Sequence, residues 1–184
     1  IHIDIDTASI SRNIHVDIPI VADAKEALEK MNEYVENCTT KKWLNEIQDW
    51  KEEHPLTMRQ GAPLGPLDVF GEINRQFDTA IIVTDVGQHQ MLTSQYVEIT
   101  EKKQLIMSGG LGTMGYGFPG GIGAQIGNPD KPVIVISGDG GMQMNIQEFA
   151  TAVLEELPVI ICVFNNEYLG MVRQWQKLLA SDTA

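Results

Sequence analysis

Basic residues are in short supply in this sequence: 13 Lys and Arg face 25 Asp and Glu, for a net charge of −12. Such a surface repels phosphate backbones and anionic lipid headgroups, so neither nucleic acid nor membrane is an expected partner. Cysteine is nearly absent. Only Cys38 and Cys162 occur, with no CxxC pair and no Cys/His cluster, which removes a disulfide framework and a thiolate metal centre from consideration. Both thiols read as small buried hydrophobes in a reducing, cytoplasmic setting. Long apolar runs are missing too: residues 133–136 and 158–164 fall far short of the roughly 20 residues that span a bilayer. No signal peptide is evident. The chain opens on Ile-His-Ile-Asp rather than Met, in a strand-like rhythm, and is expected to be a piece of a longer protein.

What is present is globular material: 184 residues, 43% hydrophobic and 21% charged, suited to one folded domain with extra segments. Residues 1–6 alternate as a strand, and residues 18–21 form a second short β-like run. Asp23 offers a helix N-cap, after which Leu28, Met31, Val35 and Cys38 recur at helical spacing over residues 24–38. A second helical stripe holds Trp43, Leu44, Ile47 and Trp50, then breaks at Glu52-Glu53-His54-Pro55. The expected organisation is the tail of a preceding domain over residues 1–23, a helical linker over 24–62, and the principal domain over 63–184.

In that principal domain a helical pattern opened by Pro66 runs into a continuous apolar strand at residues 80–84. Continuous apolar strands are buried on both faces. Further strands are predicted at residues 104–107, 133–136 and 159–164, each followed by a turn and a helical stretch. One of these helices carries a wide apolar stripe of Ile146, Phe149, Ala150, Val153, Leu154 and Leu157. The alternation predicts an α/β fold, a doubly wound parallel sheet with flanking helices. In such sheets ligands sit outside the carboxyl ends of the strands, where this sequence places polar or Gly-rich turns at residues 85–90, 108–114, 138–140 and 165–166.

Two of those turns carry motifs. Gly110-Leu111-Gly112-Thr113-Met114-Gly115 fits G-x-G-x-x-G, which leaves open a dinucleotide site or simple close packing of glycines. Gly138-Asp139-Gly140 is a tight turn on one reading and, on another, a carboxylate whose bare flanks let a cation and a phosphate approach. Between it and Asn165-Asn166 lie 24 residues, counted from Gly141 to Phe164, enough for one crossover helix and strand. A crossover returns the chain to a neighbouring parallel strand, so Asp139 and Asn166 are expected side by side. Two oxygen ligands on adjacent turns suit Mg²⁺, whose octahedral shell is usually completed by water and phosphate. A diphosphate is therefore the expected ligand, complemented by Gly140, Gly141 and the amides that open the next helix.

The pairing of Gly138-Asp139-Gly140 with Asn165-Asn166 resembles the thiamine diphosphate signature. The flanking segments, Val86-Gly-Gln-His-Gln-Met91, Ser108-Gly-Gly-Leu-Gly-Thr-Met-Gly-Tyr-Gly117 and Asn165-Asn-Glu-Tyr-Leu-Gly-Met-Val-Arg-Gln-Trp-Gln176, resemble the catalytic subunits of acetolactate synthases, along nearly the whole chain. The resemblance implies that Asp139, Asn166 and the main-chain carbonyl of Tyr168 bind Mg²⁺, and that Val86, Gly87, Gln88, His89, Gly140 and Gly141 meet the diphosphate. It places Gly112 and Met114 against the aminopyrimidine, with Met114 as the apolar wedge that bends the cofactor, although a core methionine is the other reading. Leu169, Gly170 and Met171 continue the cofactor wall. Trp175 resembles the tryptophan that sizes the substrate pocket, or is ordinary packing. His89 is taken as a hydrogen-bond donor on the phosphate side, with no acid-base role. Asp4, Ile5, Ala22 and Asp23 match residues that hold FAD in the family; by their own chemistry they are strand-edge acids and neighbours, and FAD is not expected to stay on this piece alone.

The implied reaction decarboxylates pyruvate and condenses the remaining two carbons with pyruvate or 2-oxobutyrate, in branched-chain amino acid biosynthesis. The Gln174-Trp175-Gln176 context favours that biosynthetic type over an FAD-free catabolic one. Other thiamine diphosphate enzymes, a pyruvate oxidase or a 2-oxo acid decarboxylase, are alternatives, as is a non-catalytic nucleotide-binding domain. The family's catalytic glutamate lies in an N-terminal domain, and no acid here matches it; the family's C-terminal segment is likewise unmatched. The piece alone is thus expected to be inactive, with no catalytic residue of its own. A homodimer or homotetramer is implied, with room for a separate regulatory small subunit.

Overall fold

The computed structural model describes residues 1–56 and 64–180, which divide into two compact units, Ile1–Pro55 and Leu56–Ala184. The boundary expected between residues 62 and 63 lies outside the described residues.

In the first unit, β1 (His2–Asp4) pairs in parallel with β2 (Pro19–Val21), His2 opposite Pro19 and Asp4 opposite Val21. Helix α1 (Ala24–Asn32) starts where Asp23 caps it, Oδ1 accepting the amides of Lys25 at 2.9 Å and Glu26 at 3.3 Å. A side chain that satisfies these orphan N–H groups is what makes Asp a helix start. The helix ends at Asn32 instead of running to Cys38. Most helical stability comes from packing an apolar face, and beyond Met31 the stripe covers nothing: Val35 is 64% exposed and Cys38 is exposed as well. The expectation of two buried thiols therefore fails at Cys38, while Cys162 is half-buried. Helix α2 (Lys41–Glu53) carries the second stripe, with Trp43, Leu44 and Trp50 exposed.

The second unit runs α3 (Pro66–Gln76), β3 (Ala80–Thr84), α4 (Gln88–Tyr96), β4 (Lys103–Met107), α5 (Gly117–Gly127), β5 (Val133–Gly138), α6 (Asp139–Met144), α7 (Glu148–Leu154), β6 (Ile160–Phe164) and α8 (Gly170–Leu179). Its four strands form a wholly parallel sheet in the order β4-β3-β5-β6. Strand alternation sorts the core. Ala80, Ile82, Ile134 and Ile136 pack with Phe70, Ile73 and Val97 on one face, and Ile81, Val83, Val133 and Val135 with Tyr116 and Ala124 on the other. Helices thus cover both faces, which is the doubly wound α/β arrangement the apolar runs imply.

The edges depart from the pattern. Strand β6 lies at the sheet margin, with Val163 half exposed. The apolar stripe expected after residue 145 is mostly uncovered: Ile146, Phe149, Val153 and Leu154 are exposed, and only Ala152 of α7 joins Phe118, Ile122 and Met142 in a small core. Periodicity identifies an apolar face but not what lies against it. No described helix is long and apolar enough to cross a membrane.

From β3 the chain moves outward to β4, then returns to the opposite side of β3 for β5 and β6. The direction of winding reverses between β3 and β5. At such a switch point the connections leave in opposite directions and open a crevice at the carboxyl ends of the two strands.

Candidate functional site

Asp85 leaves β3 at that switch point and is 1% exposed. Its Oδ1 accepts the Val86 amide at 2.7 Å and the Gly115 amide at 3.0 Å, and its Oδ2 accepts the Gly117 amide at 2.8 Å. A buried carboxylate is tolerated only when its oxygens are satisfied, and three N–H donors do so here. The loop before α5 is thereby tied to the end of β3. Gly117 has no room for a side chain, since a Cβ would lie 2.7 Å from the Asp85 nitrogen.

His89, in the first turn of α4, is 8% exposed and is wedged between two glycines: a Cβ on Gly87 would sit 2.6 Å from its ring, and one on Gly138 3.0 Å. Its Nε2 is buried without a hydrogen-bond partner among the described residues. Burial pushes the imidazole below the usual histidine range, against the opposing pull of Asp85 and Asp139, so the ring is neutral at pH 7. A buried, unpartnered ring nitrogen is costly and calls for a polar ligand atom.

Every site residue expected from Val86 to Trp175 lines one cavity of about 800 Å³, within the usual range for ligand sites. Val86, Gly87, Gln88 and His89 enter from the β3 turn. Asp139, Gly140 and Gly141 enter where β5 passes directly into α6, and Asn166, Tyr168, Leu169, Gly170, Met171 and Trp175 from β6 and α8. Gly112 and Met114 close it from the turn after β4. Gly112 has φ +64° and Gly115 φ +84°, a left-handed conformation that glycine adopts without steric cost. Helices α4 and α6 both open on the cavity with no side-chain cap, leaving first-turn amides free for an anion. At Gly140 a Cβ would be 3.0 Å from Leu169 and 3.7 Å from Met114, so the bare backbone keeps a cradle open between two apolar side chains.

Asp139 and Asn166 stand at adjacent strand ends and share the cavity. The Asn165 and Asn166 side chains each accept the amide two residues on, at 3.1 Å, turning the loop so that Glu167 sits at φ +61°. No group of three or more His, Cys, Asp or Glu that could hold a metal is found among the described residues. Asp139 and Asn166 are two oxygen ligands of the kind to which Mg²⁺ binds together with phosphates and water. The Gln88 Nε2 donates to Gln174 Oε1 at 2.9 Å, linking the first turn of α4 to α8, and Gly170 lies so close to the Gln88 amide that a Cβ would collide with it.

Asp4, Ile5, Ala22 and Asp23 belong to the first unit. There β1 and β2 end together, and the Ala22 amide donates to the Asp4 carbonyl at 3.2 Å. Asp4 Oδ1 accepts the Asp6 amide at 2.8 Å, Asp23 caps α1, and Ile5 is exposed.

Sequence reasoning placed Asp85 and Ser108 in strand-end turns without giving them a role, and did not single out Asn145. Asn145 Nδ2 donates to the Gly115 carbonyl at 2.6 Å, and Ser108 Oγ accepts the Thr113 amide at 3.0 Å, so the residues flanking Met114 are held from three directions. The available signal was an acid immediately after a fully apolar strand, but its partners lie thirty residues away.

Comparison with known proteins identifies the family. The family described as "Thiamine pyrophosphate enzyme, C-terminal TPP binding domain" matches residues 85–184. The chain is 41% identical to a probable acetolactate synthase large subunit of Methanococcus aeolicus, over 97% of this chain and 33% of that protein. It is 38% identical to the acetolactate synthase isozyme 3 large subunit of Escherichia coli, over 98% of this chain and 33% of that protein. With the chloroplastic acetolactate synthase 1 of Nicotiana tabacum it shares 42% identity, over 96% of this chain and 28% of that protein. The chain spans about a third of the length of these curated relatives. The family match takes in the carboxyl-end turns of the sheet, and the chain belongs to the thiamine pyrophosphate enzymes, with their C-terminal cofactor-binding domain over residues 85–184.

Proposed function

We propose that this chain is the cofactor-binding part of an acetolactate synthase large subunit, which joins pyruvate to pyruvate or 2-oxobutyrate with loss of CO₂. The observation that carries the reading is the cavity at the β3/β5 switch point, where Asp139, Asn166, the glycine cradle and the unpartnered His89 Nε2 converge. Bound thiamine diphosphate supplies the nucleophilic carbon and the electron sink for decarboxylation.

This chain's residues bind and orient. The Asp139 carboxylate, the Asn166 amide and the Tyr168 carbonyl would hold Mg²⁺, an all-oxygen set that diphosphate and water would complete. Val86, Gly87, Gln88, Gly140 and Gly141 would meet the diphosphate through main-chain and amide groups, and His89 Nε2 would give its open hydrogen-bonding position to the same anion. Gly112 and Met114, with Leu169, Gly170 and Met171, would form the apolar wall against the rings, keeping water from the reacting carbon. Trp175, 57% exposed at the cavity rim, would bound the space for the 2-oxo acid.

Asp4 and Asp23 bring two carboxylates to the ends of β1 and β2, acceptors suited to hydroxyl groups, and with Ile5 and Ala22 they are the proposed FAD contacts. The relatives are named large subunits, which supports assembly as a homodimer or homotetramer with a small regulatory subunit. A cytoplasmic location accords with a chain rich in acids and poor in cysteine.

Titration calorimetry with thiamine diphosphate, with Mg²⁺ and then with chelator, tests the site: heat that disappears on chelation is expected. Equal affinity in both conditions refutes the metal assignment, and preference for NAD over thiamine diphosphate refutes the cofactor. Acetolactate from pyruvate is the expected product of the full-length protein; acetaldehyde or acetyl phosphate instead would assign a decarboxylase or an oxidase.

A further inference from the structure

Asp85 fits none of the roles above. It is buried, has no cationic partner among the described residues, and spends both carboxylate oxygens on main-chain amides of the loop that carries Met114. Nor is it surplus to the fold, because the sheet hydrogen bond at this position is made by its amide, which donates to the Ile136 carbonyl at 2.8 Å. Beyond the adjoining Val86 amide, the carboxylate bonds only to the loop before α5.

We infer that Asp85 is a positioning residue for Met114, its carboxylate fixing the height at which that side chain enters the cofactor cavity. The inference rests on the thiamine diphosphate reading of the cavity. Its basis is the bonding on both sides of Met114. On one side the Thr113 amide is held by Ser108 Oγ; on the other the Gly115 amide is held by Asp85 Oδ1 and its carbonyl by Asn145. Two residues on, Asp85 Oδ2 takes the first amide of α5. A carboxylate at a helix start meets the positive end of the helix dipole, and charge-assisted bonds to N–H are short and directional. Gly112 and Gly115, both left-handed, act as the hinges between which the Met114 segment would otherwise swing. Gly141 leaves room for the carboxylate, since a Cβ there would lie 2.5 Å from Oδ1.

Asn is the discriminating substitution. It keeps the volume of Asp85 but turns one acceptor into a donor, which then faces the N–H of Val86, Gly115 or Gly117. In Asp85→Asn the amides of Gly115 and Gly117 are expected to lose hydrogen-exchange protection while those of Ile82 and Ile134 keep theirs. Affinity for thiamine diphosphate with Mg²⁺ is expected to fall about tenfold, the scale of one lost charge-assisted bond. Affinity for inorganic pyrophosphate with Mg²⁺, which has no ring to meet Met114, is expected to stay within about twofold, well below that scale. Because Asp85 acts through Met114, the Asp85→Asn/Met114→Ala double variant should bind thiamine diphosphate no worse than the weaker single variant. Additive losses, equal losses for both ligands, or unchanged exchange at Gly115 and Gly117 would overturn the proposal. A wild-type chain that takes neither ligand overturns the site reading instead, and the exchange measurement then still decides whether Asp85 holds the loop.

Discussion

Gly138 pairs in register with Phe164 across β5 and β6, which puts Asp139 one residue and Asn166 two residues past a matched pair, at the same end of the sheet. Parallel pairing with β6, not proximity in sequence, brings these two residues to one cavity. Asp139→Ala is expected to weaken Mg²⁺-dependent thiamine diphosphate binding roughly a hundredfold. Calorimetry with and without chelator measures it; a variant whose binding still responds to Mg²⁺ as the wild type does would falsify the assignment.

Gly87→Ala tests the packing around His89. The new methyl would lie 2.6 Å from a ring already held on its other side by Gly138, and φ at Gly87 is +157°, so neither backbone nor ring can yield cheaply. A loss of about 1–3 kcal/mol in unfolding free energy is expected. Urea denaturation is the measurement, and an unchanged midpoint would contradict it.

The depressed His89 pKa makes stability pH-dependent in a defined direction. Burial favours the neutral ring in the native state, so the unfolded chain binds more protons between the native value and the ordinary value of about 6.5. Stability from this group is fully present above that ordinary value and is lost as pH falls below it. Without ligand, His89→Gln should lose less stability than the wild type between about pH 7 and pH 5. Parallel stability curves would show that His89 is not the titrating group.

Trp175 is half exposed and no residue of α8 is fully buried. Trp175→Phe should therefore change the stability of this chain by no more than about 0.5 kcal/mol. In the full-length protein it should shift the ratio of 2-oxobutyrate to pyruvate accepted, on the order of the tenfold that one methylene commands in a pocket. An unchanged ratio would move Trp175 out of the substrate pocket.

The fold was legible where burial is complete. Strands β3 and β5, buried along their whole length, are written as uninterrupted apolar runs, and their alternation with helical stripes names a parallel sheet. Legibility fails where burial is partial. Helix α1 stops at Asn32 although its stripe continues to Cys38, and the stripe around α7 leaves Val153 and Leu154 in the open. A periodic pattern records the face a helix offers, and it is silent on whether anything in the same unit receives it.

The candidate site divides in the same way. Glycines flanking Asp139, and the spacing to Asn165-Asn166, are local features of chain chemistry, so residue types and separation alone determined which groups could face a cation and a diphosphate. Which sheet end they share was decided by strand order and register, which set β6 beside β5 and β5 beside β3 at the reversal of winding. Asp85 belongs wholly to tertiary structure: an acid after an apolar strand is commonplace, and only the approach of Gly115 and Gly117, some thirty residues later in the chain, converts it from a turn residue into the anchor of a loop. Hydrogen bonds between distant segments depend on angles and distances fixed by packing, and those have no counterpart in the linear order of residues.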